Sequence, residues 1–168
     1  MRFKILTENL TLKKIKDYFF KSKVKYFSSF GPEGSKEIAQ KSMDNFDEED
    51  WEYVLKWFNS LSFPLTVYRG FWGKSKEEIN LDKIGISWTP DLSVFTGKST
   101  IGTSKMNIIA EATINENDVD WQSTIDNFMY YSIPGRTQYE THPENEITLK
   151  KNAKPQNIIL HDRDEIIK

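Results

Sequence analysis

The sequence contains no cysteine and only two histidines, His142 and His161, in 168 residues. Disulfides, thiolate catalysis and Cys-based zinc sites are therefore excluded, and a histidine-rich metal centre has too few ligands. No sign of charge dominates either. With 23 Lys+Arg against 25 Asp+Glu and a net charge of −2, the chain offers no overall field for a nucleic-acid backbone, so nucleic acid is not an expected partner. Long apolar runs are missing as well. No segment has the length to span a bilayer, and the lysine-bearing N-terminus lacks a signal-peptide core. The expectation is a cytoplasmic protein with no membrane partner.

What is present is ordinary material for a packed domain: 38% hydrophobic and 29% charged residues, with aromatics at 14%. Length over about 150 residues predicts one domain across residues 1–168, with enough chain to bury a core unaided. Neither an internal repeat nor a low-complexity linker divides it. The basic residues near the start, Arg2, Lys4, Lys13, Lys14, Lys16, Lys21, Lys23 and Lys25, read as the solvated face of a helix.

Hydrophobic spacing divides the domain into a helical part, 1–62, and a β-rich part, 63–168. Thr11 is placed to cap a helix carrying Leu12, Ile15 and Phe19 on one face. Gly31, Pro32 and Gly34 break the chain before a second helix capped by Ser35 and running through Ile38, Ala39 and Met43. Asp47 caps a third, whose stripe is Trp51, Val54, Leu55, Phe58 and Leu61, with Glu48, Glu49 and Asp50 at the positive end of its dipole. From Pro64 the pattern turns to short β-type runs: 65–71, 85–89, 107–114, 146–150 and 157–161. Helical turns are expected within Pro90 to Lys98 and from Ile125 to Tyr131. Helices first and strands afterwards predict an α+β arrangement.

Three short segments carry candidate chemistry. In Val67-Tyr68-Arg69-Gly70, the arginine offers a planar fork of donors suited to phosphate, and Gly70 leaves room for a ligand. Taken alone, an ordinary strand-edge arginine with its head in water is the commoner reading. In Gly85-Ile86-Ser87-Trp88-Thr89-Pro90, Ser87 and Thr89 share one face of a strand and Trp88 takes the other. Two such hydroxyls can position a carboxylate or ribose, although a half-exposed strand over a buried tryptophan gives the same pattern. In Glu144-Asn145-Glu146 the period of two puts both carboxylates on one face, where they suit chemistry at a sugar carbon. A charged loop entering a strand is the plainer alternative.

Taken together and in this order, an arginine on a first strand, Ser-x-Thr on a second and Glu-x-Glu on a late strand resemble the Arg-Ser-Glu branch of the mono-ADP-ribosyltransferases. That branch includes bacterial toxins and small phage enzymes that modify host proteins. The resemblance covers roughly Leu65 to Leu160. It implies an ADP-ribosyltransferase-like split β-sandwich with N-terminal helices packed against one side, and NAD as substrate with no metal. It implies that Arg69 binds the phosphates or adjoining ribose, with Gly70 and Thr89 beside it, and that Ser87 holds the catalytic carboxylate. Glu146 would bond the ribose 2′-hydroxyl and stabilise the oxocarbenium centre, while Glu144 would orient or deprotonate the acceptor. Glu at that position goes with an arginine acceptor on a target protein. The chain departs from the family's Ser-Thr-Ser strand in having Trp88 and Thr89 after Ser87. Tyr139, ahead of the Glu pair, is a candidate target contact, and His142 reads as a solvated loop histidine. An NAD glycohydrolase and a non-catalytic binding relative are the alternatives.

Overall fold

The computed structural model describes residues 10–96, 106–135 and 145–167. Its internal contacts group into two units dividing between Phe63 and Pro64, one residue from the boundary expected from sequence. Glu144, Tyr139 and His142 lie outside the described residues.

The first unit is helical. Helix α1 spans Leu12–Tyr26, with the Thr11 side chain accepting from the Lys14 N–H and Lys23 and Lys25 in the last turn, where cations favour the helix dipole. Its buried face is Ile15 and Phe19, whereas Leu12 is only half-buried. Helix α2 spans Gly31–Asp44 and departs from expectation. Its first turn contains Pro32, tolerated there because a first-turn N–H has no intrahelical acceptor. Ser35 is not the cap; it lies inside the helix and donates to the Pro32 carbonyl at 3.1 Å. The break shrinks to Gly31, whose φ of +78° glycine adopts without a Cβ clash. Helix α3, Glu48–Ser60, opens with a reciprocal capping box between Asp47 and Asp50. Its buried stripe is Trp51, Val54 and Phe58. Phe19, Phe46 and Trp51 meet edge-on at centroid separations of 5.6 to 5.8 Å, which gives this unit an aromatic centre.

The second unit carries two antiparallel sheets. The larger has the order β1 (Leu65–Phe71), β3 (Ile108–Ile114), β5 (Gln156–Asp162); the smaller pairs β2 (Ser87–Trp88) with β4 (Ile147–Thr148). β1 and β3 run in full register from Leu65↔Ile114 to Phe71↔Ile108. The central strand β3 buries Ile108, Ala110, Ala112 and Ile114 on one face; on the other Ile109 is buried while Glu111 and Thr113 are half-buried. Two of the expected strands, 85–89 and 146–150, shorten to two residues each. Beyond them the backbone pairing continues only as single bridges, Tyr68↔Thr89 and Val119↔Leu149. A 3₁₀ turn at Leu92–Phe95, capped by Asp91, fills the expected helical stretch. Helix α4 spans Trp121–Tyr131 from an Asp120 cap, four residues earlier than Ile125, because Asp120 bonds the Ser123 N–H and hydroxyl. A short α5, Arg163–Ile166, follows β5. The architecture is thus α+β, and no described helix is long and apolar enough to cross a membrane.

Candidate active site

The site forms where the two sheets of the second unit touch. Tyr68 and Thr89 exchange both backbone hydrogen bonds, at 2.7 and 3.0 Å, so β2 is laid beside β1 at this one point. On either side of the bridge the strands part. The cavity there, about 180 Å³, is lined by Arg69, Gly70, Ser87, Thr89, Met106 and Glu146 among others. Five of the six sequence-predicted site residues therefore converge on one cavity from three separated stretches of chain; Glu144 is the sixth and lies outside the described residues.

Register explains the convergence. In the β2–β4 ladder Ser87 faces Thr148 and Trp88 faces Ile147. With period two, Ser87 and Thr148 share a face with Thr89 and Glu146, while Trp88 and Ile147 turn to the opposite, buried side. Trp88 is anchored by its indole N–H, which donates to the Gly85 carbonyl at 3.3 Å. The residue that departs from Ser-Thr-Ser thus serves as a core anchor that fixes which way Ser87 faces.

Arg69 is held over the end of β2. Its Nη1 donates to the Ser87 carbonyl, and its guanidinium carbon lies 5.7 Å from the Phe71 ring centroid. The backbone of Gly85 closes over it so tightly that a Cβ there would sit 2.8 Å from the guanidinium carbon. Burial pulls the Arg69 pKa below its ordinary value, and the negative charge of Glu146 opposes that shift. Arg69 Nε is buried and has no hydrogen-bond partner among the described residues. A buried cationic donor without an acceptor is costly in a finished core and is suited to a bound anion.

Glu146 is positioned by two residues the sequence reading missed. Its Oε1 accepts from Thr148 Oγ1 at 3.3 Å and from Asn127 Nδ2 at 3.2 Å. Thr148 is itself clamped by α4: its N–H donates to Thr124 Oγ1 at 3.0 Å, and its carbonyl accepts from the Asp120 N–H at 2.8 Å and from Thr124 Oγ1 at 3.3 Å. Glu146-Ile147-Thr148 has the same period-two signature as Glu144-Asn145-Glu146 and could have flagged Thr148. Asn127 lies on a helix nineteen residues upstream and left no local signal. Asn145, just before Glu146, has φ of +47°, an uncommon conformation that asparagine tolerates better than most residues. Ser87 contributes its backbone carbonyl to Arg69 and sits half-buried at the cavity wall.

Gly70 makes room for the apolar wall. A Cβ there would overlap Met106 Sδ and lie 2.7 Å from Phe95 Cε1, so the sulfur and ring close over a bare backbone. Val94, Phe95 and Ile109 form the buried cluster behind them, with Tyr68, Leu92 and Met106 packed against it. The arrangement sets one cation and one carboxylate at an otherwise largely apolar cavity, with strand backbone as the frame. Comparison with protein-family models, curated proteins and solved structures gave no match.

Proposed function

We propose that the chain is an NAD-dependent mono-ADP-ribosyltransferase of the Arg-Ser-Glu type, with the second unit as its ADP-ribosyltransferase-like, NAD-binding core. The observation that carries this reading is the convergence of Arg69, Ser87 and Glu146 on one cavity, with a buried guanidinium nitrogen left unpaired. NAD fits that donor set: a pyrophosphate for the arginine, a ribose diol for the carboxylate and hydroxyls, and a flat ring for the apolar wall of Phe95 and Met106.

In the proposed reaction Arg69 anchors the dinucleotide through charge-assisted hydrogen bonds. Glu146, already oriented by Thr148 and Asn127, accepts from the ribose 2′-hydroxyl. The bond between ribose C1′ and the nicotinamide nitrogen breaks, and its electron pair leaves with neutral nicotinamide. The positive charge that develops at C1′ is stabilised by the Glu146 carboxylate, an interaction stronger in the transition state than in the ground state. A side-chain nitrogen of the target protein, arginine in this reading, then forms the new bond to C1′ and gives up a proton. Glu144 is the assigned base for that proton.

Nicotinamide release from NAD by the purified protein tests the proposal, with and without cell extract. Release that depends on extract and is lost in Glu146→Gln supports the transferase. Release without extract favours the glycohydrolase. Absence of both nicotinamide release and NAD binding overturns the enzymatic reading and leaves a binding protein.

A further inference from the structure

A second and larger cavity, about 600 Å³, lies on the same unit between the segments 81–86 and 151–158. Its charged lining is Lys83, Lys151 and Lys154, with Asp82 as the one acid. All three lysines are exposed, and the Lys154–Asp82 pair is long, at 4.0 Å, and open to water on both sides, so it does little to neutralise the groove. Apart from Asn152 and Gly85, the remaining wall is aliphatic. Leu81 and Ile86 are 45% and 42% exposed, with Ile158 and Pro155 beside them.

We propose that this groove docks an extended protein segment carrying carboxylates interspersed with aliphatic side chains. The charge complements three lysines and the aliphatic positions cover Leu81, Ile86 and Ile158. Among the described residues the lining contains no aromatic residue, and a groove for single-stranded nucleic acid gains much of its binding from bases stacked on aromatic rings; this favours a protein segment. That the segment belongs to the acceptor protein rests on the transferase reading, whereas its binding to the groove does not. Two features join the groove to the cavity of Glu146. Lys151 is five residue steps beyond Glu146, at most about 18 Å of chain, so a segment in the groove brings neighbouring side chains within reach of the cavity. Gly85 also lines the groove, and a Cβ added to it would meet the Arg69 guanidinium carbon at 2.8 Å.

The probe is a fluorescein-labelled peptide of glutamates with leucine at intervals, titrated with the full chain at low salt and followed by anisotropy. A matching lysine–leucine peptide and a labelled oligothymidine serve as comparators. The expected result is binding of the acidic peptide alone, weakened about tenfold or more in a Lys83→Glu/Lys151→Glu/Lys154→Glu variant, and weakened in Ile86→Ser. Circular dichroism establishes that both variants fold. Glu146→Gln binds the peptide as the parent does, so loss of the transferase reading leaves this result standing. No binding of the acidic peptide, or binding indifferent to charge reversal, overturns the proposal. Tighter, lysine-dependent binding of oligothymidine overturns it in favour of nucleic acid.

Discussion

Gly85→Ala separates the role of Arg69 from the strain of a turn. Gly85 has φ of +85°, and an alanine Cβ there would stand 2.8 Å from both Cζ and Nη2 of Arg69 and 3.1 Å from Nη1. Two costs follow. Alanine in the left-handed region costs about 1–2 kcal/mol. The contact adds to this, because the guanidinium is bonded to the Ser87 carbonyl and half-buried, and so cannot swing away without losing that bond, worth about 1 kcal/mol. A total near 2–3 kcal/mol corresponds to a melting temperature lowered by about 4–12 °C in a chain of this size. Gly135→Ala is the control: its φ is +78° with nothing within 4 Å of the added Cβ, so it carries the backbone cost alone. Urea unfolding of the two variants gives the difference directly. The expected excess for Gly85→Ala is about 1 kcal/mol, together with a loss of NAD affinity of about tenfold as Arg69 shifts. Equal destabilisation by the two substitutions, with NAD binding unchanged, would refute the placement of Arg69 beneath Gly85.

Gly70→Ala drives a methyl into Met106 and Phe95 and is expected to cost about 1–3 kcal/mol by overpacking; Met106→Ala in the same chain should recover part of the loss in urea unfolding. Thr124→Val removes the hydroxyl that serves both the N–H and the carbonyl of Thr148, leaving a buried N–H unpaired at a cost of about 1–3 kcal/mol, read by the same method, and loosening Glu146. Burial, reinforced by the Glu111 carboxylate, pushes the Tyr68 phenol up. Its native pKa therefore lies above its unfolded one, so its contribution to stability is complete below the ordinary phenol range and is lost as pH rises through the native value. The tyrosinate absorbance titration should lose a raised component in Tyr68→Phe, and that component should move to lower pH in Glu111→Gln.

What sequence conveyed best was whatever depends on near neighbours. Thr11 and Asp47 are caps as expected, because a side-chain oxygen reaches an N–H three residues on. β1 matches its predicted bounds because its partner β3 pairs with all seven of its residues. β2 and β4 did not reach theirs. Their alternation is real, but strand length is set by how long a partner stays alongside, and these two meet over only Ser87–Trp88 and Ile147–Thr148. Ser35 is not the cap because Gly31-Pro32, which resembles a break, also suits the first turn of a helix. At the site, Arg69, Ser87 and Glu146 were legible from strand periodicity and the family resemblance. The grip of Asn127 on Glu146, the closure of Gly85 over Arg69 and the lysine-lined groove each depend on residues distant in sequence, and no local pattern reports them.

Nicotinamide release decides whether Arg69 and Glu146 hold one dinucleotide between them. Release from NAD by the parent protein is expected in the presence of extract, reduced by at least about a hundredfold in Glu146→Gln. Arg69→Lys, which loses the planar fork, is expected to weaken NAD binding. Release unchanged in Glu146→Gln, or an NAD affinity unaffected by loss of the Arg69 guanidinium, would contradict that joint hold.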